Sequence, residues 1–248
     1  MGAERWFGAD ELLGGLKRVC IFCGGYGSGK TEVAVNFALH AASVGGTVTI
    51  ADLDIVNPYF RSREVRGELR SRGVTVLVPD EQLVDADLPV IKPEIKGALE
   101  SDSGPVVLDL GGDPVGAKVM ASLADGIART GYDALLVVNS RRPFTDTPDG
   151  VVRSMRAIEE ASGLEVTRLV VNSHLIDETR SEVIEEGIAL AEQVVEQAGV
   201  PIGFVAVERD LLGDFDAAGC RYPVMVLDRL MLKPWESRAR TGSDRFKI

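Results

Sequence analysis

Residues 24–31, Gly-Gly-Tyr-Gly-Ser-Gly-Lys-Thr, satisfy the pattern G-x-x-x-x-G-K-[ST] in full. Glycines at 24, 25, 27 and 29 allow a backbone to fold closely around an anion and to take positive φ. Successive N–H groups in such a bend point inward and form a nest for phosphate oxygens. A helix that begins near Gly29 adds the positive end of its dipole. Lys30 then brings a full charge to the β- and γ-phosphates of a nucleotide, and Thr31 offers a hydroxyl to Mg2+. Gly24, Gly25, Tyr26, Gly27, Ser28, Gly29, Lys30 and Thr31 are therefore the expected phosphate-binding set. The plainer reading is a glycine-rich turn with an incidental Gly-Lys-Thr. It leaves unexplained why an apolar run precedes the turn and a helical period follows it.

Phosphate chemistry also needs carboxylates, and two stretches offer them. Asp52 and Asp54 fall in Ile50-Ala-Asp-Leu-Asp-Ile-Val-Asn57-Pro58, at the end of a strand-like run. Alternate residues of an extended chain point the same way, so both can face a γ-phosphate or its metal. Asp109 closes the apolar run Val106-Val-Leu-Asp, the expected metal-side partner of a phosphate loop. Gly111-Gly112 beside Asp113 permits a hinge there. Each aspartate also has an ordinary use as a helix cap or turn former.

These groups must be held by a scaffold, and the apolar pattern supplies one. Strand-like runs fall at 18–23, 47–51, 74–78, 105–110, 133–139, 166–172, 202–207 and 224–227. Helical periods fall between them, at 31–44, 63–72, 93–100, 115–130, 149–162 and 178–198. The strands lack in/out alternation and so require cover on both faces, as crossover helices provide for parallel sheets. The expected fold is one doubly wound, mostly parallel α/β domain with ligands beyond the carboxyl ends of the strands. It should occupy residues 18–232, with an N-terminal arm at 1–17 (a packed arm or helix, carrying Trp6 and Phe7) and a polar, solvated tail at 233–248.

Composition narrows the function. Of 248 residues, 27 are Lys or Arg and 38 Asp or Glu, a net charge of −11 that disfavours a general nucleic-acid binder. No apolar stretch approaches the roughly 18 residues of a transmembrane span, and no secretory signal stands at the start. Three cysteines fit a reducing compartment, and the cytoplasm is the expected location. Cys20 and Cys23 form C-x-x-C within a strand, where a spacing of three separates them onto opposite faces; buried structural thiols are expected, not a metal or redox pair. His40 and His174 have no second ligand at zinc spacing. Arg61, Arg63, Arg66, Arg70 and Arg72, with Glu64 and Glu68 interleaved, suit a solvated helix.

Gly24–Thr31, Asp52-Leu-Asp54 and Asp109-Leu-Gly-Gly, in that order, resemble the MinD/ParA group of P-loop ATPases, the CobQ/CobB/MinD/ParA nucleotide-binding domain of the SIMIBI class. The resemblance implies binding of ATP with Mg2+, slow hydrolysis to ADP when a regulatory protein partner is engaged, and a homodimer formed around nucleotide. It makes Lys30 the loop lysine, Thr31 the Mg2+ hydroxyl, Asp54 the residue that orients attacking water, Asp109 the Walker B carboxylate and Asn172 an adenine contact. One departure stands out: Gly25 occupies the place of the group's additional lysine. The cation at the transition state is then unassigned, with Arg141 or Arg142 available as a substitute or simply solvated in a loop. Ser173 and Leu175 stand where the guanine-selective N-K-x-D pattern needs Lys and Asp, which disfavours GTP. The leading expectation is an ATPase switch. An ATP-dependent kinase or amide-forming synthetase, and a nucleotide-gated scaffold or metallochaperone without hydrolysis, are the alternatives.

Overall fold

The computed structural model describes residues 6–7, 15–53, 66–78, 93–101, 103–111, 120, 123–124 and 126–231. Asp54, the aromatics at 59–60, Gly112, Asp113, the stretch 79–92 and the tail from 232 onward lie outside them.

The apolar runs become strands: β2 (Val19–Cys23), β3 (Val48–Asp52), β4 (Val74–Leu77), β5 (Val106–Asp109), β6 (Tyr132–Val138), β7 (Arg168–Val171), β8 (Ile202–Glu208) and β9 (Val224–Leu227). A two-residue strand, β1 (Trp6–Phe7), begins the sheet in chain order. The helical periods become α1 (Lys30–Ser43), α2 (Arg66–Ser71), α3 (Pro93–Glu100), α4 (Pro148–Ser162) and α5 (Ser181–Ala198). Residues 126–130 are also helical. The sheet order is β1-β9-β8-β7-β6-β2-β5-β3-β4. All neighbours are parallel except β1 and β9, which pair antiparallel with Trp6 opposite Met225. Residues 6–7, expected in a packed arm, thus join the sheet. Two residues are too few to show a strand period, and their partner lies more than two hundred positions away.

Both faces are covered, as the unbroken apolar strands require. Val19, Ile21 and Cys23 point to one core with Ile95 and Leu99 of α3, Met155 of α4 and Ile184 of α5. Cys20 and Phe22 point to the other with α1 and Leu69 of α2. The two cysteines do lie on opposite faces. Burial pushes both thiols up, Cys23 to about 12, so neither is a ready thiolate at neutral pH.

α1 packs on β2, β3, β4, β5 and β9. Phe37 on this helix lies between Phe22 and Phe204, with ring centroids 5.2 and 6.3 Å away. α4 starts where Thr147 accepts the Gly150 N–H at 3.2 Å with Pro148 at its first position, and it ends at Gly163 in the left-handed region. β2 sits at the centre of the sheet between β5 and β6, so the turn that leaves β2 opens into the crevice where the strand order diverges.

Candidate functional site

The turn at 24–31 joins β2 to α1 and caps that helix with Gly29 at φ 82°. Two of its glycines have no substitute. A Cβ on Gly24 would lie 2.6 Å from the Val137 carbonyl oxygen, and one on Gly29 would lie 2.3 Å from Asn172 Nδ2. Within the turn, Ser28 N–H donates to the Gly25 carbonyl at 3.2 Å, and Val33 N–H starts the helix on the Gly29 carbonyl at 3.0 Å.

Neighbouring strands grip the turn from outside. Asn172, just past β7 and buried, donates from Nδ2 to the Ser28 carbonyl at 2.7 Å. Arg142, in the loop after β6, donates from Nε to the Gly27 carbonyl at 2.9 Å. Lys30 and Thr31, the first residues of α1, are buried, whereas Tyr26 at the tip of the turn is 78% exposed.

A cavity of about 560 Å3 opens beside this turn. Gly25, Gly27, Lys30 and Thr31 of the turn line it beside Asn172 and His174, with Val207, Glu208 and Arg229 also in the wall. Its volume is in the range of small-ligand sites. It runs from the phosphate-type turn to the carboxyl ends of β7, β8 and β9.

Asp52 and Asp109 end adjacent strands and are register partners. Each shares the parity of a residue on the α1 face, Ile50 for Asp52 and Val107 for Asp109. Both carboxylates therefore lie on the side of the sheet where α1 begins with Lys30 and Thr31, and both are fully buried. Two carboxylates and a hydroxyl form a hard-oxygen set suited to Mg2+. Asp54 lies beyond the described residues, two positions past Asp52.

Some residues of the site carried little local signal. Glu32 follows Thr31 and accepts the backbone N–H groups of Leu230 and Met231 at 2.8 and 2.9 Å. Burial outweighs those bonds and lifts its carboxyl to about 7, with Glu208 adding to the rise and Arg229 opposing it. His174 is pushed down to about 4, first by burial and then by Arg142 and Arg229. It is neutral at physiological pH. Arg229 lines the cavity and pairs with Asp177 at 2.8 Å. The acid at 32, among apolar residues just inside a helix, was a signal for burial with a partner. Nothing local pointed to residues 229–231.

The doubly wound, parallel α/β fold is shared with solved structures of other proteins. Among solved structures, the chain is similar to FtsY from Mycoplasma mycoides, with 21% identity, a TM-score of 0.50, and 75% of this chain and 59% of that one covered. It is similar to the cell division protein FtsY of Thermotoga maritima, with 20% identity, a TM-score of 0.52 and coverages of 76% and 61%. The signal recognition particle 54 kDa protein of Aeropyrum pernix, solved with GDP, gives 16% identity, a TM-score of 0.50 and coverages of 77% and 41%. At these identities the likeness is one of fold, and the chain spans about three-fifths or less of these neighbours' lengths. No protein-family model and no curated protein matches the sequence.

Proposed function

We propose that this chain is a Mg2+-dependent ATPase that serves as a partner-regulated switch, with residues 18–232 as its nucleotide-binding domain. One observation carries the reading: the Gly24–Thr31 turn borders a nucleotide-sized cavity, with Lys30 and Thr31 in its wall. Lys30 neutralises the phosphate chain, and the loop amides bind its oxygens. Thr31, Asp109 and Asp52 would hold Mg2+, which would supply positive charge to the phosphate chain when bound. Asp54 orients the attacking water. Catalysis is then positioning and charge stabilisation, without a covalent enzyme intermediate.

Asn172 keeps the turn closed through Ser28 and borders the base. The choice of adenine rests on the residues after it. Ser173 accepts from Ser140 N–H at 3.1 Å and Leu175 is apolar, so the wall presents no carboxylate there for guanine. The neighbour solved with GDP makes the guanine nucleotide the necessary control. A regulatory protein is the expected reader of the bound state, and two copies could meet across nucleotide. Among the described residues no helix is long and apolar enough to cross a membrane; the cytoplasm is the proposed location.

Titration calorimetry with Mg2+ and ADP, a non-hydrolysable ATP analogue, or GDP tests this directly. Adenine nucleotides should bind more tightly than GDP, and Lys30→Ala should abolish binding. Asp54→Ala should bind and turn over more slowly. Tighter GDP binding would refute the adenine assignment. Phosphate release only after a small-molecule acceptor is added would favour a kinase or synthetase, and no release at all would favour a nucleotide-gated scaffold.

A further inference from the structure

Two arginines leave β6 in the same turn and part company. Arg141 pairs with Glu186 on α5. Arg142 turns the other way, to the Gly27 carbonyl and into the wall of the cavity. A guanidinium has five N–H donors in a fixed plane, and Gly27 occupies one of them. Among the described residues no carboxylate lies within ion-pair distance of Arg142.

The turn that aims Arg142 is built for rigidity. Fully buried Asn139 accepts from Arg141 N–H at 2.9 Å and His174 N–H at 3.3 Å, and donates from Nδ2 to the His174 carbonyl at 3.2 Å. Thr145 Oγ1 donates to the Asn139 carbonyl at 2.8 Å, and Thr145 N–H donates to the Arg142 carbonyl at 3.2 Å. Phe144, two residues past Arg142, is held at φ 72° with its ring 84% exposed. A bulky residue in the left-handed region is strained, and this one gains no burial in return.

Charge balance gives the guanidinium a task. A nucleoside triphosphate remains anionic even with Mg2+ bound. Among the described residues, the cationic side chains in the cavity wall are Lys30, Arg142 and Arg229, and Arg229 is engaged by Asp177. His174, also in the wall, stays neutral. Gly25 has no side chain to contribute.

We propose that Arg142 is a second phosphate-binding cation of this site and acts within its own chain. Nε fixes the loop at Gly27, and the Nη groups serve the phosphate chain and the charge that develops on it. In the step served, water oxygen bonds to the γ-phosphorus while the β–γ bridging P–O bond breaks. The bond pair leaves with the diphosphate, and the two water protons end on the released phosphate and in solvent. This assignment rests on the nucleotide reading above and adds a residue to it.

The test compares wild type with Arg142→Ala, Arg142→Lys and Arg141→Ala, using calorimetry with Mg2+ and either ADP or the imido analogue of ATP, and single-turnover phosphate release. Loss of a charge-assisted bond predicts that Arg142→Ala weakens the triphosphate analogue about 10- to 100-fold and ADP less than about 3-fold. Turnover should fall about 100- to 1,000-fold, as on removal of a donor to a developing oxyanion. Arg142→Lys should recover part of both effects, and Arg141→Ala should match wild type. Unchanged behaviour of Arg142→Ala would overturn the assignment. Equal loss for both nucleotides would overturn it too, because a residue that only props the loop cannot sense the third phosphate. A wild-type chain that binds neither nucleotide would overturn the nucleotide reading and this assignment together.

Discussion

Replacing Asn172 separates the grip on the phosphate loop from the loop's own sequence. The Ser28 carbonyl can only accept, so the atom 2.7 Å away must be the amide nitrogen of Asn172. Both residues are buried. Asn172→Ala removes the donor and leaves a buried acceptor unmatched, which costs about 1–3 kcal/mol. The adjoining cavity admits water to the vacated space, so the lower half of that range applies, about 1–2 kcal/mol. For a domain of this size the melting midpoint should drop by about 2–8 °C. The same loss of loop closure should weaken Mg2+–nucleotide binding about 5- to 30-fold, since 1.4 kcal/mol is a factor of ten. Asn172→Asp has the same shape but sets a carboxylate oxygen against a carbonyl oxygen, beside bound phosphate. It must be worse than Ala in binding, although its volume is unchanged. The assays are thermal unfolding of the free protein and calorimetric titration with Mg2+ and ADP. If Asp bound as well as Ala, or if Ala bound like wild type, the grip on Ser28 would not control the loop and the reasoning would fail.

Phe37→Ala removes the central ring of the Phe22–Phe37–Phe204 series and should destabilise the protein by about 3–5 kcal/mol in chemical denaturation; a loss below about 1 kcal/mol would mean α1 is not the keystone of that face. Glu32 and His174 give opposed pH dependences. Glu32 rises from its ordinary 4.5 to about 7, so the native state holds its proton more tightly and stability falls as pH climbs through that window. His174 drops from 6.5 to about 4, so the unfolded state binds its proton more tightly and stability falls as pH descends through 6.5 to 4. Each slope is at most about 1.4 kcal/mol per pH unit, and between pH 4.5 and 6.5 they nearly cancel. Glu32→Gln should therefore lose stability relative to wild type as pH is lowered across that range, and denaturation midpoints at several pH values would show it; a flat difference curve would refute the paired shifts.

The strand and helix pattern was largely legible because the fold obeys local rules. Central strands must be apolar throughout, crossover helices must repeat at 3.6, and Pro93, Pro148, Gly163 and Gly199 mark ends that the structure keeps. The glycine pattern of the Gly24–Thr31 turn was legible for a stricter reason. Gly24 and Gly29 sit where a Cβ would strike backbone or Asn172, so their types are fixed by steric necessity. Arg142 was only half legible, because sequence offered two adjacent loop arginines with equal claims. The distinction came from Glu186, on a helix more than forty positions away, which engages one and leaves the other to Gly27. The strand pairing of Trp6–Phe7 within the expected arm was not legible, because an edge strand of two residues has no period to display.

Helix α1 shows most clearly where local patterns end. Its apolar residues Val33, Phe37 and Ala38 are buried, yet so are Asn36 and His40, and Glu32 is half-buried. They repeat at four-residue intervals and so form a line along the helix. Glu32 accepts from Leu230 and Met231, Asn36 accepts from and donates to the Asp228 backbone at 2.9 and 3.0 Å, and His40 Nε2 lies 3.0 Å from the Val226 carbonyl. These bonds satisfy backbone groups at and beyond the end of β9. A buried polar line of this kind is tolerable only if each rung meets its partner, and those partners lie nearly two hundred residues further along the chain. The helix that presents Lys30 and Thr31 to the cavity is thus pinned along its length to the segment that brings Arg229 to the same cavity. A shift of α1 on nucleotide binding would have to carry residues 228–231 with it or break the polar line, so both ends of the cavity wall are constrained to move as one body.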